Sequence, residues 1–259
     1  MTGTGDHVAA VALNTFRETV RDRIFYLVGV FGLVLIGSSA ILSPLTVGAQ
    51  GKVVADVGLA SLSLFGLLVV VFVGSGMLHK EIDKRTITTI LAKPVSRRAY
   101  VAGKFGGLIL TLACMLAAMG ALFLLVTLWT PVPLNPGYAA AFGFAFLELA
   151  IVTAVAVLLS TFVSPVLAAV LTLALFVVGH VSSDLKEFGA LVGGPALRLA
   201  TSVLFYVLPN LEVFNVRGAV VHGDPVSGAH LALAALYATC YVALCLVLAG
   251  AIFTRRELK

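Results

Sequence analysis

Hydrophobic positions along this chain gather into long runs instead of alternating with polar ones. Strongly apolar stretches occupy residues 24–42, 57–78, 105–129, 139–181 and 229–253. A helix needs about 20 apolar residues to cross a hydrocarbon layer of about 30 Å. Four of the runs suit one crossing each. The run 139–181 would reach about 65 Å as a single helix at 1.5 Å per residue, so it must fold back on itself. The break is legible at Ser160-Thr161-Phe162-Val163-Ser164-Pro165, because proline removes a donor and disfavours helix at the residue before it. The pattern therefore predicts an all-α, polytopic membrane protein, one transmembrane domain over 1–259, with six transmembrane helices at about 24–42, 57–78, 105–129, 139–163, 165–181 and 229–253.

The segments between the runs carry their own patterns. Over 7–23, Val8, Ala12, Phe16 and Val20 recur at one helical face with Ala9 and Leu13 beside them, while Asn14, Arg17, Glu18, Arg21 and Asp22 take the other side. Such a segment predicts an amphipathic helix lying in the membrane interface and bending into the first span; a positive anchor and a mechanical element fit it equally. Between spans two and three, His79 to Lys104 reads HKEIDKRTITTILAKPVSRRAYVAGK. Its first half predicts a short helix with Ile87, Ile90 and Leu91 on one face and Glu81, Lys84, Arg85 and Thr88 elsewhere. Pro94 ends it, and Ser96 is the candidate N-cap of the next helix. A stiff lever bearing on a cytosolic partner and a basic loop that only sets topology both satisfy this periodicity. On the other side, 43–56 and 130–138 are short. The second holds Pro131, Pro133, Asn135, Pro136 and Gly137, bracketed by Trp129 and Tyr138 as interfacial aromatics. The segment 182–228 is long. Within it 196–209 is apolar apart from Arg198 but too short for a crossing, which suits a re-entrant or interfacial helix.

Composition supports lipid as the solvent. Hydrophobic residues make up 60% and charged residues 11%, against about 25% charged in soluble domains, and mean hydropathy is +1.10. The placement of charge sets sidedness. Of the 17 basic residues, Arg17, Arg21 and Arg23 precede span one. Lys80, Lys84, Arg85, Lys93, Arg97, Arg98 and Lys104 lie between spans two and three, and Arg255, Arg256 and Lys259 follow span six. The positive-inside rule then puts both termini and the 80–100 loop in the cytoplasm, leaving Lys52, Lys186, Arg198 and Arg217 outside. A cleavable signal peptide, with Ser38-Ser39-Ala40 as the cleavage site, is the competing reading of the start. The long apolar run and the residues preceding it favour an uncleaved span. No basic tract with interleaved aromatics suggests nucleic acid. Cys114, Cys240 and Cys245 lie inside apolar runs with no metal-like spacing and read as small hydrophobes.

Among polar residues, Glu148 stands out, about 15 Å into span four by helical rise and close to the midplane. An intramembrane carboxylate is a candidate for the transport pathway; a hydrogen-bonded packing residue between helices is the alternative. His180 falls at the outer end of span five as an interfacial residue, and His79 adjoins the inner loop as a solvated one. Gly103-x-x-x-Gly107, with Gly74 and Gly76, permits close helix packing.

The order Glu81, Asp83, Thr86, Leu91, Lys93-Pro94, Arg97, Tyr100 and Gly103-Lys104 resembles the motif after span two of ABC type-2 transporter permeases. Residues 14–23 (NTFRETVRDR), Ser160-Thr161-Phe162, Leu208-Pro209-Asn210-Leu211-Glu212 and the ending Phe253-Thr254-Arg255-Arg256-Glu257-Leu258 agree with it. The resemblance covers essentially the whole chain and is closest to permeases linked to maturation of multicopper enzymes. It implies a permease that pairs with a second one, identical or not, in a bacterial cytoplasmic (inner) membrane, each receiving a cytosolic ATPase subunit. A cytoplasmic coupling helix carried by Glu81, Asp83, Lys84, Arg85, Thr86, Ile87, Ile90 and Leu91, with Pro94 and Arg97 after it, would seat in that ATPase. Phe16, Arg17 and Arg21 would belong to the interfacial helix, and 196–209 to an outer re-entrant element. ATP and magnesium would reside on the partner. The chain has no G-x-x-x-x-G-K-[ST] phosphate loop, no catalytic constellation and no metal motif, and no cofactor is expected on it. An ion-coupled secondary transporter is the alternative, though no inverted repeat is visible. A membrane-embedded enzyme is a third class, for which His180, His222 and His230 supply no recognisable motif.

Overall fold

Long apolar helices dominate the chain, as the runs demand. The computed structural model describes residues 4–21, 26–42, 50–76, 96–129, 135–192 and 194–255, and no strand occurs among them. In order come α1 (Thr4–Arg21), α2 (Tyr26–Leu42), α3 (Gln50–Val69) continued by a π-helical turn (Val70–Gly74), α4 (Arg97–Trp129), α5 (Gly137–Ser160) and α6 (Pro165–Val192). There follow α7 (Pro195–Val207), a 3-10 turn (Glu212–Phe214), α8 (Arg217–His222) and α9 (Gly228–Arg255). Among the described residues, five stretches are long and apolar enough to cross a membrane alone: Gln50–Gly74, Arg97–Trp129, Gly137–Ser160, Pro165–Leu191 and Gly228–Arg255. Helix α2 has 17 residues, about 26 Å by rise, and with α1 it forms one apolar pair bent by 55°.

The helix ends follow local chemistry. Ser160 closes α5, and α6 opens on Pro165 at its first position, where a missing N–H costs nothing; the Ala168 amide donates to the Ser164 carbonyl at 2.8 Å. Ser96 acts as the expected N-cap of α4, its Oγ accepting from the Ala99 amide at 3.2 Å. Asn135 starts α5, its Oδ1 accepting from the Gly137 amide at 2.8 Å.

Helix α5 is the central rod. Phe144, Leu149, Ile151, Val152, Ala154, Ala156 and Val157 are buried around its whole circumference, as expected of a helix apolar on every side. It packs against α3 and its π turn, α4, α6 and α9. Small residues set the approach: a Cβ on Gly66 of α3 would run into Leu149 of α5, and one on Gly74 would lie 3.1 Å from the Ala156 Cβ. Lipid supplies no hydrophobic drive between spans, so close contact of this kind is what holds them.

Helix α1 lies alongside the start of α4 and runs in the same direction. Val8 and Val11 face Gly103, and Ala12 and Thr15 face Gly107, while Thr19 borders a small gap with Leu108, Thr111 and Leu112. The glycine spacing read from sequence thus packs the N-terminal helix onto α4. The buried face is not the expected one: it is Val8–Val11–Ala12–Thr15–Thr19, with Thr15 and Thr19 fully enclosed, whereas Leu13 and Val20 are exposed. The glycine seam admits small side chains and threonines; Thr19 Oγ1 donates to the Thr15 carbonyl at 2.9 Å, while Thr15 Oγ1 has no hydrogen-bond partner among the described residues. Of the remaining apolar positions, Ala9, Leu13 and Val20 are exposed and Phe16 is half-buried, forming a second stripe beside the seam.

Two expectations for the far end need correction. Helix α6 runs to Val192, eleven residues past the expected end of span five. Ser182, Ser183, Asp184, Lys186 and Glu187 lower hydropathy without breaking a helix, and the stop arrives only at Gly193-Gly194-Pro195. The expected loop 182–228 is largely helical. Helix α7 folds back on α6, where a Cβ on Gly189 would run into Thr201 and Arg198 donates to the Ala190 carbonyl at 3.0 Å. Residues Ala196–Val207 and Glu212–His222 then form a pair bent by 53°.

Candidate functional site

Two clusters collect the polar groups that an apolar bundle would otherwise exclude. The first lies at the end of the bundle where α4 begins and α9 finishes. Arg97 Nη1 donates to the Phe253 and Thr254 carbonyls at 3.1 and 3.3 Å, and its guanidinium stands 6.0 Å from the Phe253 ring. The last carbonyls of a helix lack intrahelical donors and carry partial negative charge, so this cation is well placed. Tyr100 stacks on the same ring. One turn on, Lys104 is only 2% exposed, with its Nζ 3.9 Å from Glu18 Oε2 on α1 and 5.8 Å from the Tyr100 ring. The base of α4 therefore joins α1 and α9 directly to the exit of the basic loop. The residues expected to couple to a partner, Glu81, Asp83, Lys84, Arg85, Thr86, Ile87, Ile90, Leu91 and Pro94, lie outside the described residues. Of the interfacial set, Phe16 is half-buried, and Arg17 and Arg21 are exposed.

The second cluster lines a partly open cavity of about 270 Å³ between α3, α5, α6 and the segment leading into α8. Glu148 is at its floor, near the middle of α5 and 3% exposed. Its Oε1 has no hydrogen-bond partner among the described residues. His180 Nε2 lies 3.4 Å from that oxygen, and His180 Nδ1 lies 3.0 Å from the Phe176 carbonyl oxygen one turn earlier. Because α6 continues beyond it, His180 is a mid-helix residue and not the helix-end residue the sequence suggested. Leu59, Leu62 and Ala145 give the cavity apolar walls, and Phe176 and Phe214 give it aromatic ones. Arg217 also lines it, with Nε 2.9 Å from Asp56 Oδ1.

The segment Leu208–Phe214 leads into the cavity wall at Phe214, and its hydrogen bonds anchor it to α6 and α9. The Leu211 amide donates to the Gly179 carbonyl at 3.0 Å. The Asn210 amide donates to Tyr237 Oη on α9 at 3.0 Å, and Asn210 Nδ2 donates to Ser183 Oγ on α6 at 3.2 Å. His230 Nε2 donates to the Val213 carbonyl at 2.9 Å. The sequence singled out Glu148 and His180 separately; their convergence on one cavity, with Phe214 and Arg217 after the Leu208–Glu212 motif, was not visible there. No periodicity relates residues on different helices, and only the helical phases of α5 and α6 taken together would bring positions 148 and 180 face to face.

A family model described as "ABC-2 family transporter protein" matches residues 9–258. Comparison with curated proteins gave no match.

Proposed function

Because the chain belongs to the ABC-2 family of transporter proteins, we propose that it is the membrane-spanning permease subunit of an ATP-driven transporter whose ATPase is a separate chain. The observation that carries the reading is the family match over nearly the whole length, joined to the way the basic end is built. Arg97, Lys104 and Tyr100 tie the exit of the 80–100 loop to both α1 and α9. A push delivered to the loop reaches three helices at once.

In this reading α2 supplies the sixth span and the basic end is cytoplasmic. Helix α1 sits at the cytoplasmic interface, its stripe of Ala9, Leu13, Phe16 and Val20 toward lipid and Arg17 and Arg21 toward headgroups. Helix α4 supports this placement. Its 33 residues reach about 50 Å against a hydrocarbon layer of about 30 Å, so its first turns overhang the bilayer, and α1 packs on those turns. Residues Glu81 to Leu91 form the coupling helix seated in the ATPase, and a second permease completes the pathway. The bent pair at Ala196–His222 is the outer re-entrant element. Closure of the ATPase dimer around ATP and magnesium drives the two permeases between states.

A buried acid–base pair such as Glu148 and His180 would also serve an ion-coupled carrier, and the source of energy separates the two. The complex is purified from native membranes through a tag on this chain and reconstituted in liposomes. An ATPase with a phosphate-binding loop is expected to copurify. Replacing Glu81 or Arg85 by Ala should lower ATPase association or stimulation while membrane insertion persists. Normal association and stimulation in both variants would refute the coupling role.

A further inference from the structure

Two acceptors confront each other at the floor of the Glu148 cavity. The Phe176 carbonyl can only accept, so the His180 Nδ1 at 3.0 Å from it carries a hydrogen. Neutral His180 then presents the lone pair of Nε2 to Glu148 Oε1 at 3.4 Å. That oxygen is enclosed and makes no hydrogen bond among the described residues. A carboxylate and an imidazole lone pair repel at this separation, and a site walled by leucine, alanine and phenylalanine offers little screening. The arrangement is stable when one proton is shared between them. The pair is then neutral, as a membrane interior requires.

The same chemistry accepts a different positive partner. We propose that this cavity binds a small primary ammonium ion with an apolar body, its N–H groups donated to Glu148 and to His180 Nε2. The entering cation displaces the shared proton. One R–NH3+ enters and one H+ leaves to solvent, no covalent bond between heavy atoms changes, and the site stays neutral throughout. The surroundings select this class. Phe176 and Phe214 line the cavity, and aromatic rings attract a cation when desolvated; Leu59, Leu62 and Ala145 accept the hydrocarbon. Arg217 is engaged with Asp56 at 2.9 Å, so it neither repels a cation strongly nor stands ready for an anion. A hard metal ion would want six or more oxygens, and among the described residues that line the cavity Glu148 has no second carboxylate beside it. The volume, about 270 Å³, suits a small ligand or one headgroup rather than a drug-sized molecule.

As cargo recognition this assignment rests on the permease reading; as binding chemistry it can be measured without an ATPase. The full chain in phosphatidylcholine nanodiscs is titrated calorimetrically with cyclohexylammonium, cyclohexanol and cyclohexanecarboxylate. Cyclohexylammonium should bind, with about one proton released per ligand when buffers of different ionisation enthalpy are compared. The alcohol and the carboxylate should bind about tenfold more weakly or worse, in line with the loss of charge-assisted hydrogen bonds. Glu148→Gln, which keeps the shape, should weaken cyclohexylammonium by about tenfold or more. The ligand series on the unmodified chain tests the site even where the variant folds poorly. No ammonium binding, equal binding of cyclohexanol, absence of proton release, or a folded Glu148→Gln that binds as before would each overturn the proposal. None of these results bears on ATPase association, so the permease reading stands or falls separately.

Discussion

Gly107 is the position where the α1–α4 seam has least room, and Gly106 next to it is its built-in control. A Cβ on Gly107 would lie 2.5 Å from the Ala12 carbonyl oxygen and 2.5 Å from the Thr15 Cβ, where ordinary contact begins at 3.4 Å. Both obstacles are fixed to the α1 backbone, so α1 must retreat by about 0.9 Å or leave. Overpacking of this sort costs about 1–3 kcal/mol, which shifts the docking equilibrium by roughly 5- to 150-fold at 1.36 kcal/mol per decade. At Gly106 the nearest atom is the Ala12 Cβ at 3.6 Å. Gly106→Ala therefore gains helix propensity of about 0.5–1 kcal/mol with no clash. The assay uses a chain with Cys114, Cys240 and Cys245 replaced by Ala and Thr19→Cys introduced on the enclosed face of α1. Maleimide labels that thiol only when α1 lifts. Gly107→Ala should accelerate labelling by the factor above, and Gly106→Ala should leave it unchanged or slow it. Equal labelling in the two variants would refute the seam and the docking of α1 with it.

Arg97→Ala removes the donor to the last carbonyls of α9. It should cost about 1 kcal/mol, read as a lower midpoint of thermal unfolding in detergent, with Arg97→Lys recovering only part because a shorter, non-planar ammonium does not reproduce the guanidinium's reach to both carbonyls or its place beside the Phe253 ring. Gly189→Val drives a side chain into Thr201 and should destabilise the α6–α7 hairpin by about 1–3 kcal/mol, read as faster hydrogen exchange over Ala196–Val207 with α5 unaffected. Asp56→Ala, by contrast, breaks an ion pair whose partners are both nearly half exposed, and such pairs are worth about 1 kcal/mol or less; the unfolding midpoint should move little.

Much of the architecture was legible because lipid imposes coarse rules. The break at Ser164-Pro165, the N-cap at Ser96 and the apolar length of α3, α4, α5 and α9 all follow from local chemistry that one sequence displays. What escaped depends on the partner of each face. In α1, hydropathy marks Val8, Ala12, Phe16 and Val20 as one stripe, but lipid and a glycine seam ask for different residues: the seam takes Thr15 and Thr19, and the bulky Leu13 and Val20 are left outside. The extension of α6 was missed because Asp184, Lys186 and Glu187 lower hydropathy while remaining good enough helix residues, so the apolar run and the helix end at different places. Glu148 announced itself by the cost of a carboxylate in lipid. His180, its neighbour, reads as a helix-end residue because the apolar run stops before the helix does.

The central claim is that energy reaches this chain through residues 80–100 from an ATPase beneath it. Site-specific photo-crosslinking from Thr86, carried out in native membranes, tests it most directly. The account predicts a crosslink to a subunit bearing a phosphate-binding loop, weakened when Glu81 or Arg85 is replaced, and no such crosslink from Lys52 on the opposite side. Labelling of Thr86→Cys by a membrane-impermeant reagent added outside intact cells, with no crosslink to any nucleotide-hydrolysing subunit, would contradict it.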